Sequence, residues 1–133
     1  MAYLIDSDWV IDHLAEVPEA SKLLEHLAED GIAISVITYM EVYQGILRSP
    51  APEGAATQFD AFAEGVPVLP VSLAVARRCA RLREALRREH RWVNSRALDL
   101  LIAATALEHG LTLVTRNRDN YADVPDLELY QLS

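Results

Sequence analysis

A chain of 133 residues, 51% hydrophobic and 24% charged, has the profile of one globular domain and the length to bury about two-thirds of its unfolded surface, which excludes intrinsic disorder and collagen-like repeats. No apolar run approaches the roughly 18 residues of a membrane span, no basic-then-apolar leader opens the chain, and the lone Cys79 cannot close an internal disulfide. A single domain over residues 1–133 is expected, cytoplasmic and off the membrane; its net charge of −8 would repel nucleic acid if evenly spread.

In chain order, Tyr3-Leu4-Ile5 is a short apolar run that ends at Asp6, as a buried strand would. Asp8 to Glu16 carries Trp9, Val10 and Leu14 and is interrupted by Pro18, which starts a second helix that Gly31 stops. Ile32-Ala33-Ile34 reads as a strand. Ser35 or Thr38 then caps a helix towards Leu47, ended by Pro50 and Pro52. Ala55 to Ala63 is helical in spacing, and Val66 to Val71 is a third strand whose prolines limit its pairing. Ser72 caps a long helix to about His90. Eight of the eleven Arg lie between Arg77 and Arg96, where only Glu84 and Glu89 oppose them, so this window carries +6 and the remainder −14. Such a stripe is either a solvated helix face or the footprint of a polyanion. Ser95 begins a last helix closed by Gly110, Leu111 to Val114 is a fourth strand, and Leu127 to Leu132 reads as a fifth. Strands separated by helices pair in parallel through right-handed crossovers. The fold class is therefore α/β, a three-layer sandwich with a short four- or five-stranded sheet flanked by helices.

In open parallel sheets, ligands gather beyond the carboxyl ends of the strands. Asp6 follows the first strand, Glu41 lies in the helix after the second, and Asn117 and Asp119 follow the fourth. Asp99 opens the helix that feeds the fourth strand, embedded in Ala97-Leu98-Asp99-Leu100-Leu101-Ile102. Each has a bland alternative: Asp6 as a helix cap, Glu41 as the acid of a Thr38-to-Glu41 capping box, Asp99 as a partner of Arg96. Joint placement favours a site. Converging carboxylates raise one another's pKa unless a divalent cation neutralises them, and an all-oxygen set suits Mg²⁺ or Mn²⁺ better than Zn²⁺. Asp8, Asp12, Asp123 and Asp126 read as surface or turn residues, and the four His form no ligand spacing.

Four segments in order resemble the acidic motifs of PIN domains: Tyr3 to Asp8, Ser35 to Glu41, Ala97 to Ala106, and Leu113 to Asn117. Within that family the chain is similar to the compact ribonuclease toxins of type II toxin–antitoxin pairs. The resemblance implies a Mg²⁺-dependent endoribonuclease, usually dimeric, that leaves 5′-phosphate and 3′-hydroxyl ends and is made with a cognate antitoxin. It implies Asp6 and Asp99 as principal metal ligands with Glu41 completing the cluster, and Ser7 and Thr115 in support. At the fourth motif this sequence departs from many relatives, with Asn117 and Asn120 where an Asp is common and Asp119 between them. Arg87, Arg88 and Arg91 would hold the RNA backbone, and Arg116 and Arg118 lie closer to the scissile phosphate. An antitoxin helix would find apolar surface on the early helices, at Trp9, Val10, Leu23, Leu24, Leu27, Val42, Tyr43, Ile46 and Leu47.

Two other classes share features with this sequence. Asp6-Ser7-Asp8 fits the nucleophile motif of haloacid-dehalogenase phosphatases, but that class needs a downstream Lys and Lys22 is the only one present. A PIN-fold binding module without catalysis is the other alternative, to which Asn at the fourth motif lends weight.

Overall fold

A computed structural model describes residues 1–132. Four parallel strands, β1 (Tyr3–Ile5), β2 (Ile32–Ser35), β3 (Val68–Leu69) and β4 (Thr112–Val114), lie in the order β3-β2-β1-β4. Tyr3 stands opposite both Ile32 and Thr112, so the first strand in sequence is central in space. Six helices flank the sheet: α1 (Ser7–Leu14), α2 (Pro18–Ala28), α3 (Val36–Leu47), α4 (Pro52–Glu64), α5 (Leu73–Arg88) and α6 (Ala97–His109).

The strand period of two sorts side chains to the two faces. Leu4, Ala33 and Leu113 join α5 and α6 in one core. Ile5, Ile34 and Val114 join residues of α1, α2, α3 and α4 in the other. The result is the expected three-layer α/β sandwich. α6 is buried almost all round, and Ala103, Ala104 and Ala106 are fully buried in the core it shares with α5.

Local chemistry sets the boundaries. Pro18 and Pro52 occupy first-turn positions of α2 and α4, where the missing N–H costs nothing. Ser35 caps α3 by accepting from the Thr38 amide at 2.9 Å, and Ser72 caps α5 through the Val75 amide at 3.1 Å. Gly110 ends α6 in the left-handed region at φ 65°. Gly31, at φ 95°, turns α2 into β2, and its carbonyl accepts from the Ala2 and Tyr3 amides. A Cβ there would lie 2.9 Å from the Met1 Cα. Gly31→Ala is therefore expected to lower stability by about 2 kcal/mol, read as a shift in urea midpoint, from positive φ and the clash together.

Several boundaries differ from expectation. The third strand shrinks to two residues because Pro67 and Pro70, which cannot donate to a ladder, bracket it. The expected fifth strand is a single parallel bridge from Leu113 to Leu129. Ser95 caps nothing: it sits inside a 3₁₀ turn, Asn94–Arg96, that runs into α6. α4 starts at Pro52, three residues before the expected Ala55. Of the apolar side chains placed on the early helices, Trp9, Val10, Leu24, Leu27, Val42 and Ile46 are core, whereas Tyr43 and Leu47 are exposed.

Candidate active site

β1 carries Asp6 to the crevice beside β4, where the Asp6 amide donates to Val114 O at 3.0 Å. The residue is 6% exposed, and each carboxylate oxygen accepts one hydrogen bond. Its Oδ1 accepts from the Ser7 amide at 2.8 Å, capping α1, and its Oδ2 accepts from Thr115 Oγ1 at 2.7 Å. Thr115, itself buried, also accepts from the Asn117 amide. Capping and site placement thus coexist at Asp6.

Glu41 is half-buried on α3. The capping-box reading of Glu41 fails, because Ser35 is the cap and Thr38 already stands at the third helical position, leaving Glu41 in the second turn. Asp99 lies in the first turn of α6 and does not pair with Arg96. Its Oδ2 accepts from Asn120 Nδ2 at 3.0 Å and its Oδ1 from the Tyr121 hydroxyl at 3.2 Å. Arg96 turns instead to Asp123, with two bonds of 2.6 and 2.7 Å, and to the carbonyls of Asn120 and Trp92. Asp123 is thus no plain surface acid, nor is Asp12, which accepts from Arg116.

The electrostatics follow from burial and crowding. Burial pushes the Asp6 carboxyl above its ordinary pKa; the bonds from Thr115 and Ser7 pull the other way, and the charges of Asp99 and Asp8 add to the rise. Glu41 is also raised, first by burial and then by Asp6 and Asp99, with the Ser7 hydroxyl offsetting part of it. Burial and the same carboxylates hold the Tyr121 hydroxyl firmly protonated, so it remains a donor to Asp99. Among the described residues no Arg or Lys forms an ion pair with Asp6, Glu41 or Asp99.

Among those same residues, no three His, Cys, Asp or Glu side chains are grouped closely enough to hold a metal ion as they stand. The acids feel one another through charge rather than contact. Their chemistry nevertheless fits a hard divalent cation: oxygen donors only, and anionic charge that no direct ion pair neutralises, although Arg96 feels Asp99 at longer range. Asp6 and Asp99 would hold such an ion, with Glu41 close enough to feel the charge of both.

The remaining predicted residues divide by placement. Ser7 and Thr115 touch the acids. Asn117 and Asp119 are exposed, and Asn120 rather than either reaches Asp99. Arg116 lies over the face of the buried Trp9 at 3.9 Å, and Arg118 donates to Tyr130 O. Arg87 and Arg88 pair with Glu84, while Arg91 is exposed. Sequence reasoning missed Tyr121 and the Arg96–Asp123 pair. For Tyr121 a signal existed: a tyrosine directly after Asn120 in the fourth motif needs a polar partner if buried.

Residues 3–127 match the family model of the PIN domain. Ribonuclease VapC19 of Mycobacterium tuberculosis is 35% identical over 127 residues, covering 94% of this chain and 96% of that protein. Among solved structures, VapBC2 from Rickettsia felis, bound to a DNA fragment from its promoter, superposes with a TM-score of 0.87 at 26% identity over the whole of both chains. A toxin–antitoxin complex from Klebsiella pneumoniae matches 98% of this chain and all of that one, with a TM-score of 0.71 at 29% identity.

Proposed function

The chain belongs to the PIN-domain family, and on that premise we propose that it is a divalent-metal-dependent endoribonuclease, the toxin of a toxin–antitoxin pair. The observation that carries this reading is the gathering of Asp6, Glu41 and Asp99 without a paired cation, two of them raised by burial and mutual repulsion. The ribonuclease name of a 35% identical relative supports the reaction.

Asp6, Asp99 and Glu41 are the catalytic set, and Mg²⁺ or Mn²⁺ is the cofactor. When bound, such an ion polarises a phosphate oxygen and neutralises the charge that collects there. Thr115 and the Ser7 amide fix both oxygens of Asp6, while Asn120 and Tyr121 fix Asp99. Glu41, made more basic by burial, orients the attacking water and takes its proton. Asp119 stays at the rim with Asn117. Arg87, Arg88 and Arg91, at and just beyond the end of α5, hold the RNA backbone, with Arg116 and Arg118 nearer the acids.

A homodimer fits the exposed stripe on α3, where Val36, Met40, Tyr43 and Leu47 recur at spacings of four, three and four. An antitoxin segment fits the apolar groove where α1, α3 and α4 meet, lined by Ile11, Leu14, Val42, Ile46 and Ala55. An Arg from that segment would compete with the cation for the acids. Among the described residues no helix is long and apolar enough to cross a membrane, and a cytoplasmic site of action is part of the proposal.

The test is purified protein incubated with total RNA in Mg²⁺ and in EDTA, with the cut ends mapped. Cation-dependent cuts bearing 5′-phosphates and 3′-hydroxyls support the reading. Folded protein that binds RNA without cutting it leaves a binding module. Expression in the host without a partner should arrest growth, and Asp6→Asn should relieve the arrest.

A further inference from the structure

Trp92 is 80% exposed, more than any other large apolar side chain among the described residues, whereas Trp9 is 1% exposed. An indole left in water forgoes a large burial gain. Its backbone is nevertheless firmly placed. His90 turns the chain at φ 60°, the Arg91 amide returns to Leu86 O at 2.9 Å, and Arg96 Nε donates to Trp92 O at 2.5 Å. Arg96 also donates to Asn120 O at 2.9 Å, and the Asn120 side chain donates to Asp99. A short hydrogen-bonded path therefore links the backbone that carries this ring to the acidic centre.

The ring divides two concavities. One side presents Arg87, Arg88, His90 and Arg91. The other presents Asp119, Asn120 and Asp123, with the charge of Asp123 matched by Arg96, and Arg91 borders both. An isolated aromatic among cations is a poor fit for an apolar protein partner, which would bury Arg87, Arg88 and Arg91 with Glu84 as the one carboxylate paired to them among the described residues. It fits a nucleobase, which stacks on the indole, sets its phosphates against the Arg side and offers its polar edge to Asn120 and Asp119.

We infer that Trp92 is a stacking platform for an unpaired base of single-stranded RNA on the flank of the acidic centre. This rests on the endoribonuclease reading and adds to it a residue that holds the substrate: stacking requires a splayed base, which Trp92 would grip. Trp92 acts in binding, not in the chemistry.

The test uses a short unstructured RNA oligonucleotide and the full chain, with affinity measured in EDTA so that nothing is cut. Trp92→Ala and Trp92→Leu should each weaken binding about tenfold, while Trp92→Phe keeps most of it. The slope of log affinity against log salt should stay unchanged in these variants, because stacking releases no counterions. Arg91→Gln should instead reduce that slope by about 0.7. RNA binding should quench indole emission in wild type and not in Trp92→Leu. In Mg²⁺, Trp92→Ala should raise KM for the same oligonucleotide with kcat retained. Wild-type affinity in Trp92→Ala or Trp92→Leu overturns the inference. So does loss of self-association in Trp92→Ala by sedimentation, which would assign the ring to an interface between copies. If wild type neither binds nor cuts RNA, the nuclease reading falls and this one with it; if wild type cuts and Trp92→Ala binds equally well, only this one falls.

Discussion

Asp6→Asn and Asp99→Asn are each expected to lower RNA cleavage by on the order of 10³-fold, because a held cation contributes several kcal/mol of transition-state stabilisation and each 1.36 kcal/mol is a factor of ten. The substitutions keep shape: an amide at position 6 still accepts from the Ser7 amide that caps α1. Loss of activity is therefore not loss of fold, and circular dichroism should show none. In EDTA, Asp6→Asn should even raise the urea midpoint. Asp6 and Glu41 have folded-state pKa values above their unfolded ones. Between those values the folded chain binds more protons than the unfolded, so the metal-free protein loses stability as pH rises through that window. The advantage of Asp6→Asn should open with rising pH and close towards the ordinary carboxylate range near about pH 4. A midpoint difference that ignores pH, or near-wild-type cleavage by either variant, would remove that residue from the proposed site.

Arg96→Met is expected to cost about 3 kcal/mol and to slow cleavage by about 10 to 100-fold. The Arg96 and Asp123 side chains are only 10% and 21% exposed, so removing one leaves the other largely desolvated and unpaired. The guanidinium also ties Trp92 O and Asn120 O together, and Asn120 and Tyr121 orient Asp99. Arg96→Lys restores charge without the planar fork and should recover less than half of the loss. The double variant Arg96→Met, Asp123→Leu should be more stable than Arg96→Met alone yet equally slow, separating buried charge from loop placement. The Arg96 hydrogen bond holds Asp123 below the ordinary carboxylate range. Its contribution is thus complete above that range and lost as pH falls through the folded value, opposite in sign to Asp6. Single and double variants of equal stability in urea would contradict this account.

The order of strands and helices was legible because apolar runs of three or four residues alternate with helical spacing and clear stops such as Gly31 and Gly110. The ends were less so. Val66 to Val71 looks like a strand in composition, but Pro67 and Pro70 lack the donors that a longer ladder needs. Leu127 to Leu132 alternates well, yet only Leu129 finds a partner. Asp6, Glu41 and Asp99 were accessible through one rule, that loops beyond strand ends face a common crevice. Which side chains hold them was not. Arg96 looked like the partner of Asp99 because three residues separate them on one presumed helix. It lies instead in the 3₁₀ turn before α6 and meets an acid 27 residues away. The Arg stripe misleads similarly, since Arg78 pairs with Glu108 on α6, beyond any local count.

Because β1 precedes β4 by more than a hundred residues yet lies beside it in the sheet, the hydrogen bond from Thr115 to Asp6 spans 109 residues. At a synthesis rate of about 10 residues per second, roughly 11 seconds separate the translation of its two ends. Until then Asp6 has β2 beside it but neither β4 nor Thr115, and Asp99 waits longer, for Tyr121. The acidic centre thus closes only after Tyr121 has been made. The groove between α1, α3 and α4, by contrast, is encoded within the first 64 residues. A partner synthesised alongside, if it docks in that groove as proposed, would meet it on the ribosome before the chain has completed the acidic centre.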